Sequence, residues 1–319
     1  MSTYTTAISE AKKLLDAGEL VAIPTETVYG LAAKGTDENA VKKIYNAKGR
    51  PSTNPLILHF GSLAQIRPFV ATISNEVVLL AQKFWPGPLT LLLPKSKLVP
   101  DCITSGLPRV AVRIPNHPLA LSLLKTLDYP LAAPSANPSG YISPTTAAHV
   151  KAQLGDKVSL ILDGGPCSKG LESTILGWDE SGIPIIYRKG IVTAEAIEKV
   201  LQKAPRFQTK QTVEAPGMLS SHYAPKTKTL VVDDLDAETA KYPHLKVGTI
   251  AFNNTNATSA FKNIVLSPEG SLEIVASKLY AAMHEMDNAA ADIILIEKIP
   301  DIGIGKAIND RLKRAVTKP

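Results

Sequence analysis

The stretch "LVAIPTETVYGLAAKGTDENAVKKIYNAKGRPSTNPLILHF", Leu20 to Phe60, decides the fold class. "LVAIPTETVYGLAA" reads as a strand that runs into a polar turn. "TDENAVKKIYNAKG" reads as a helix: Asp37 or Thr36 can cap it, Val41, Ile44 and Tyr45 share one face, and Gly49 stops it. "LILHF" is a second, short strand. Strand, helix and strand in this order predict an α/β protein. Between helix and strand lies "KGRPSTNP", Lys48 to Pro55. Pro51 and Pro55 lack amide donors, so this loop is neither good helix nor central strand. Proline on both sides reduces the entropy lost on ordering, and a pre-set loop carrying Lys48 and Arg50 suits polyphosphate.

Downstream, "NEVVLLAQKFWPGP" predicts a helix ended by Pro86, and "LTLLL" a buried strand. "RVAVRIP" alternates, with Arg109, Ala111 and Arg113 on one face. Strands are expected in "YPLAAPSANPSG", "SLILDGG", "ESTILGW" and "IPIIYRKG", and a helix in "TAEAIEKVLQK". Residues 1–205 then form one unit. Residues 206–228 are rich in Pro, Ser, Thr and Lys with little periodicity, too long for an ordinary connection, and read as a linker or functional loop. Residues 229–319 resume strand–helix alternation and predict a small Rossmann-like α/β domain. Met283 and Met286 lie at helical spacing with Leu272, Val275 and Leu279, as core residues would.

Polar residues collect at strand ends in "PTETVYG", "KGRPSTNP", "APSANPSGYISP" and "LEST". Ligands of α/β sheets bind beyond strand ends, so these clusters can share one cleft. Arg109 and Arg113 are about 13 Å apart at roughly 3.3 Å per residue, too far to grip one carboxylate together. They suit two anionic groups of a larger ligand, or a solvated sheet face. Of six histidines, His59 ends a strand and His222 sits in the linker; the other four read as surface or cap residues. Walker A, H-E-x-x-H, C-x-x-C and G-x-S-x-G motifs do not occur, so no nucleophile or metal motif is present. That pattern favours chemistry run by positioning and charge stabilisation.

The chain has 319 residues, 45% hydrophobic and 20% charged, with net charge +6. A mild basic bias is compatible with an anionic substrate or with RNA. Cys102 and Cys167 lack metal spacing and read as thiols of a reducing compartment. The first twenty residues lack the apolar run of a signal peptide, and no segment approaches membrane-spanning length; a cytoplasmic protein is expected.

Taken together and in order, "PTETVYGLAA", "AKGRPSTNPLILHF", "FWPGPLTLLL", "RVAVRIPNHP", "AAPSANPSGYISPT", "DGG…ESTIL", "YRKG" and "APGMLSSHYAPKT" resemble the threonylcarbamoyl-AMP synthase family in its long form. The resemblance covers nearly the whole chain. It implies a twisted mixed-sheet YrdC-like domain with a concave basic groove, a linker folded over the site, and a Rossmann-like C-terminal domain. The implied reaction joins L-threonine, bicarbonate and ATP into threonylcarbamoyl-AMP and releases pyrophosphate. Mg2+ is expected with the phosphates. A downstream tRNA threonylcarbamoyltransferase would take the product to the adenosine beside the anticodon.

Residue by residue, the resemblance assigns catalytic roles to Lys48, Arg50, Ser135 and Asn137. It places Arg50, Asn54, Arg109, Ser135, Ser143, Arg188 and His222 on the nucleotide, although Arg109 falls where the family pattern varies. It places Thr27, His59, Arg113, Ala133 and Ser173 on threonine. Two other readings exist. Hydrogenase-maturation carbamoyltransferases share the YrdC-like fold but carry cysteine-rich zinc segments and an acylphosphatase domain, for which this chain has no room. A non-catalytic double-stranded RNA or nucleotide binder is permitted by the charge, and weak RNA binding is compatible with the enzyme too; RNA motifs are missing.

Overall fold

The computed structural model describes residues 2–209, 214–216, 223–254 and 260–317. The first unit runs α1 (Ser2–Asp16), β1 (Val21–Ile23), β2 (Gly30–Lys34), α2 (Glu38–Lys48), β3 (Ile57–His59), α3 (Leu63–Ile66), α4 (Asn75–Phe84), β4 (Leu89–Pro94), α5 (Asp101–Thr104), β5 (Arg109–Arg113), α6 (Pro118–Lys125), β6 (Leu131–Ala132), α7 (Ala147–Leu154), β7 (Leu160–Ile161), β8 (Thr174–Trp178), β9 (Pro184–Arg188), α8 (Ala194–Leu201) and β10 (Arg206–Phe207). The second runs β11 (Lys228–Val232), α9 (Leu235–Thr239), β12 (Val247–Ala251), β13 (Lys262–Val265), α10 (Leu272–Asp287), β14 (Ile293–Glu297) and α11 (Gly305–Val316).

The first unit's strands form one sheet in the order β10-β9-β8-β4-β5-β3-β6-β2-β1-β7. It is mixed: β3 runs parallel to β5, and β4 parallel to β8, but β4 opposes β5. The second sheet, β11-β14-β12-β13, is wholly parallel. The α/β class, the mixed sheet and the smaller second domain all match expectation. Leu89, Leu91, Leu92 and Leu93 of β4 are all buried, as a central strand covered on both faces requires.

Helix α2 forms as its residues dictate. The Asp37 carboxylate accepts the amides of Asn39 and Ala40, satisfying orphan donors of the first turn. Gly49 ends the helix at φ 61°, a left-handed conformation that favours glycine. A Cβ there would touch nothing within 4 Å, so the backbone angle alone selects it.

Three features differ from the sequence reading. "LVAIPTETVYGLAA" is two antiparallel strands, β1 and β2, rather than one. The Thr25 hydroxyl makes the reversal, accepting the amides of Thr27 and Val28 and donating to the Val28 carbonyl. Helices α3, α5, α6 and α7 fall in segments with no assigned element. The expected linker start at residue 206 joins the sheet instead, since Arg206 and Phe207 pair with Ile185 and Ile186.

The domains share a core. Val28, Ile142 and Leu171 of the first unit cluster with Val275, Leu279, Met283 and Met286 of α10, which confirms the two methionines as core. Gly170 sits so close to α10 that a Cβ would lie 2.5 Å from the Ser277 carbonyl oxygen. His284 is buried in this interface, contrary to a surface role, with Nε2 3.1 Å from the Ser143 carbonyl and its ring 4.1 Å from that of His149. Cys167 is buried and its thiol is pushed up to about 12 by desolvation. No helix among the described residues is long and apolar enough to cross a membrane.

Candidate active site

One cleft gathers the polar strand ends. Its lining includes Thr25 and Thr27 after β1, Arg50 and Pro55 of the α2–β3 loop, His59 ending β3, Arg113 ending β5, Ala133 and Ser135 after β6, Glu172 and Ser173 before β8, and Arg188 ending β9. Pro216 and Tyr223 of the linker close one side. The empty space of the cleft, with the open solvent at its mouth, is about 590 Å³.

Three buried arginines face this space, each held by backbone carbonyls. Arg50 donates from Nε to the Asn54 carbonyl at 3.1 Å and from Nη2 to that of Pro55 at 2.7 Å. Both acceptors belong to the proline-flanked loop, so the loop aims its own cation. Arg188 donates to the Ser173 carbonyl at 3.1 Å and to its hydroxyl at 3.0 Å. Desolvation pulls the guanidinium pKa of both Arg50 and Arg188 down to about 10, still well above neutral.

Arg113 donates to the Gly87 carbonyl and to the Thr27 hydroxyl. Its Nη2 also lies 2.7 Å from Glu26 Oε1, an ion pair in which both side chains are 4% exposed and the contact is close without hydrogen-bond angles. Across the ladder from Arg113 stands His59. Burial first, and the Arg113 charge second, drop the His59 pKa to about 3, so its imidazole is neutral and a poor proton acceptor.

Lys48, Asn54, Asn137 and Ser143 do not line the cleft; each bonds to a residue that does. The buried Lys48 ammonium donates to the carbonyls of Ser135 and Asn137 and so ties the α2 terminus to the "APSANPSG" loop. Burial, then Arg50, lowers its pKa well below the usual lysine value. The Asn137 amide donates to the Ser135 carbonyl at 3.0 Å, and its side chain closes the loop onto the carbonyls of Pro138 and Tyr141. The Ser143 hydroxyl donates to Glu172 Oε1 at 2.7 Å.

Arg109 lies apart from the cleft. It donates to Glu214 Oε2 and to the Tyr187 hydroxyl, both at 2.7 Å, and so fastens the linker instead. His222 lies outside the described residues. Glu26, Glu172 and Tyr223 were not singled out from sequence. The two glutamates sit inside the quoted "PTETVYG" and "LEST" clusters, where an acid among hydroxyl residues was the available signal.

Residues 13–190 match the family model for Sua5, YciO and YrdC proteins, described as "Telomere recombination". Residues 192–317 match the model of the threonylcarbamoyl-AMP synthase C-terminal domain. The threonylcarbamoyl-AMP synthase of Pyrococcus abyssi is 42% identical over 313 residues, covering 93% of this chain and 90% of the relative. This chain belongs to the threonylcarbamoyl-AMP synthase family. The Bacillus subtilis threonylcarbamoyl-AMP synthase is 40% identical over 331 residues, covering 99% of this chain and 94% of its own. The crystal structure of Pyrococcus abyssi Sua5 complexed with L-threonine superposes with TM-score 0.91 at 41% identity, over 97% of this chain and 94% of that one. The likeness of this threonylcarbamoyl-AMP synthase family member to its relatives thus spans both domains and the linker.

Proposed function

We propose that the cleft condenses L-threonine, bicarbonate and ATP into L-threonylcarbamoyladenylate with release of pyrophosphate, a nucleotidyl transfer that feeds threonylcarbamoylation of tRNA by a downstream transferase. The observation that carries the reading is the convergence of Arg50, Arg113 and Arg188 on one cleft. Multiple fixed cations in a water-poor site stabilise the charge that develops in phosphoryl chemistry.

Arg113 holds the threonine carboxylate. Glu26 and the Thr27 hydroxyl already orient that guanidinium, so little reorganisation is needed on binding. Thr27, His59, Ala133 and Ser173 shape the same side. Arg50, Arg188 and Ser135 hold the phosphates, with Asn54, Ser143 and His222 on the nucleotide and Arg109 acting there through the linker it fastens. Lys48 and Asn137 keep the Ser135 loop against Arg50. The threonine amine adds to bicarbonate, forming a carbamate and releasing water. A carbamate oxygen then attacks the α-phosphorus, the bond to the β-phosphate oxygen breaks, and pyrophosphate departs beside Arg50.

Among the described residues no cluster of three His, Cys, Asp or Glu side chains could hold a metal ion. The cleft carboxylate Glu172 is ion-paired to Arg311, and Glu26 beside the cleft to Arg113. Mg2+ therefore fits as part of the ATP substrate, where it would neutralise phosphate charge. Threonylcarbamoyl-adenylate is labile in water, so the linker serves as a lid over the cleft. The test is pyrophosphate release from MgATP with threonine and bicarbonate each omitted in turn. Release that needs both is expected; turnover indifferent to threonine would overturn the reading.

A further inference from the structure

Charged and polar side chains of the second domain reach the wall of the cleft, Arg311 foremost among them. Arg311, on α11, is 1% exposed. Its Nε donates to Glu172 Oε2 at 2.9 Å, its Nη2 to the Lys189 carbonyl at 2.7 Å, and its Nη1 to Asp310 Oδ2 at 2.7 Å. Its guanidinium carbon lies 5.2 Å from the Tyr223 ring centre. Glu172 and Tyr223 line the cleft, and Lys189 follows the lining residue Arg188. Glu172 in turn accepts the hydroxyls of Ser143 at 2.7 Å and Tyr280 at 2.9 Å.

We propose that Arg311 is a positioning residue for ATP, acting through Glu172, Lys189 and Tyr223 to hold Ser143 and Arg188 at the nucleotide side of the cleft. This rests on the reading of the cleft as the ATP site. A planar guanidinium can serve three partners in fixed directions, which a lysine ammonium cannot reproduce. Glu172 needs that partner because it is buried: a carboxylate without its cation there is strongly disfavoured. Burial opposes the Glu172 charge, yet Arg311 and then Arg188 hold its carboxyl at about 2. The other titratable groups facing it are Tyr280 of α10 and Tyr223 of the linker. With Arg311 gone, burial is opposed by Arg188 and by the Ser143 hydrogen bond, the strongest opposing charge is lost, and Glu172 takes up a proton at higher pH.

The experiment uses the full chain and pyrophosphate release, with thermal melts as a folding control. Arg311→Lys and Arg311→Met are compared with Tyr141→Phe, which removes a bond to Asp287 across the same interface without touching Glu172. Arg311→Met is expected to raise KM for ATP at least tenfold in folded protein, with a new loss of activity toward acid pH. Arg311→Lys should recover part of both effects, and Tyr141→Phe should leave ATP kinetics unchanged. Should Arg311→Met fail to fold, Arg311→Lys carries the test. Wild-type KM for ATP in folded Arg311 variants, or losses that only track the folded fraction as in Tyr141→Phe, would overturn the positioning role. Normal ATP kinetics in Arg50→Ala would sink the reading of the cleft itself, and this role with it.

Discussion

His59 and Arg113 face each other across two parallel strands, and that pairing limits what the histidine can do. Its pKa is lowered, not raised, to about 3, so it stays neutral throughout the working range and no activity limb should come from it near the ordinary value of about 6.5. His59→Gln should therefore share the wild-type profile shape between about pH 5 and 8. A wild-type limb near 6.5 that disappears in the variant would show that His59 does titrate. Arg50 is different, because its charge persists and its carbonyl partners aim it at the cleft. Arg50→Ala should cost about 1.5–3 kcal/mol of transition-state binding. That is roughly 10- to 150-fold in kcat/KM for ATP, read from initial rates of pyrophosphate release.

The α2 helix and the loop after it show how an element hands a residue to the site. Asp37 and Gly49 are both caps, but only Gly49 adjoins Arg50. Asp37→Ala should lower stability by about 1 kcal/mol in denaturant melts and leave KM for ATP alone. Gly49→Ala should cost about 1–2 kcal/mol, because a Cβ at φ 61° is strained even in open space. It should also raise KM for ATP by shifting Arg50; an unchanged KM would mean the loop is placed without the cap. Both caps were readable from sequence because each acts within a few residues of itself. The β1–β2 reversal was not, since the Thr25 hydroxyl that makes it looks in sequence like one more polar residue of the turn.

At the scale of the molecule the second domain completes the first. Cutting the chain after residue 209 would expose Val28, Ile142 and Leu171 and strip Glu172 of Arg311. The truncated protein should melt below the intact one and release pyrophosphate more slowly per folded molecule. Equal Tm and equal rates would count against both the shared core and the lid. Glu172 also makes the interface pH-dependent. Its folded pKa is depressed to about 2 from the ordinary carboxylate range, so its contribution is present above about pH 4.3 and is lost as pH falls through about 2. The stability gap between wild type and Glu172→Gln should narrow over that window; a gap independent of pH would mean Glu172 is not held ionised.

What the sequence determined by itself was local or ordered along the chain: the α/β alternation, the helix caps, the proline-stiffened cationic loop and the family motifs in their order. Strand and helix periods and cap geometry follow from neighbours in sequence, so they survive being read one segment at a time. Only the tertiary structure decided which polar residues face the cleft and which stand one bond behind it. Arg109 and Arg113 share a strand, yet one clamps the linker and the other ends in the site, because Glu214 and Glu26 reach them from distant segments. The roles of Glu172 and Arg311 were equally hidden. A buried charge is tolerated only beside its counter-charge, and here that partner lies in the other domain.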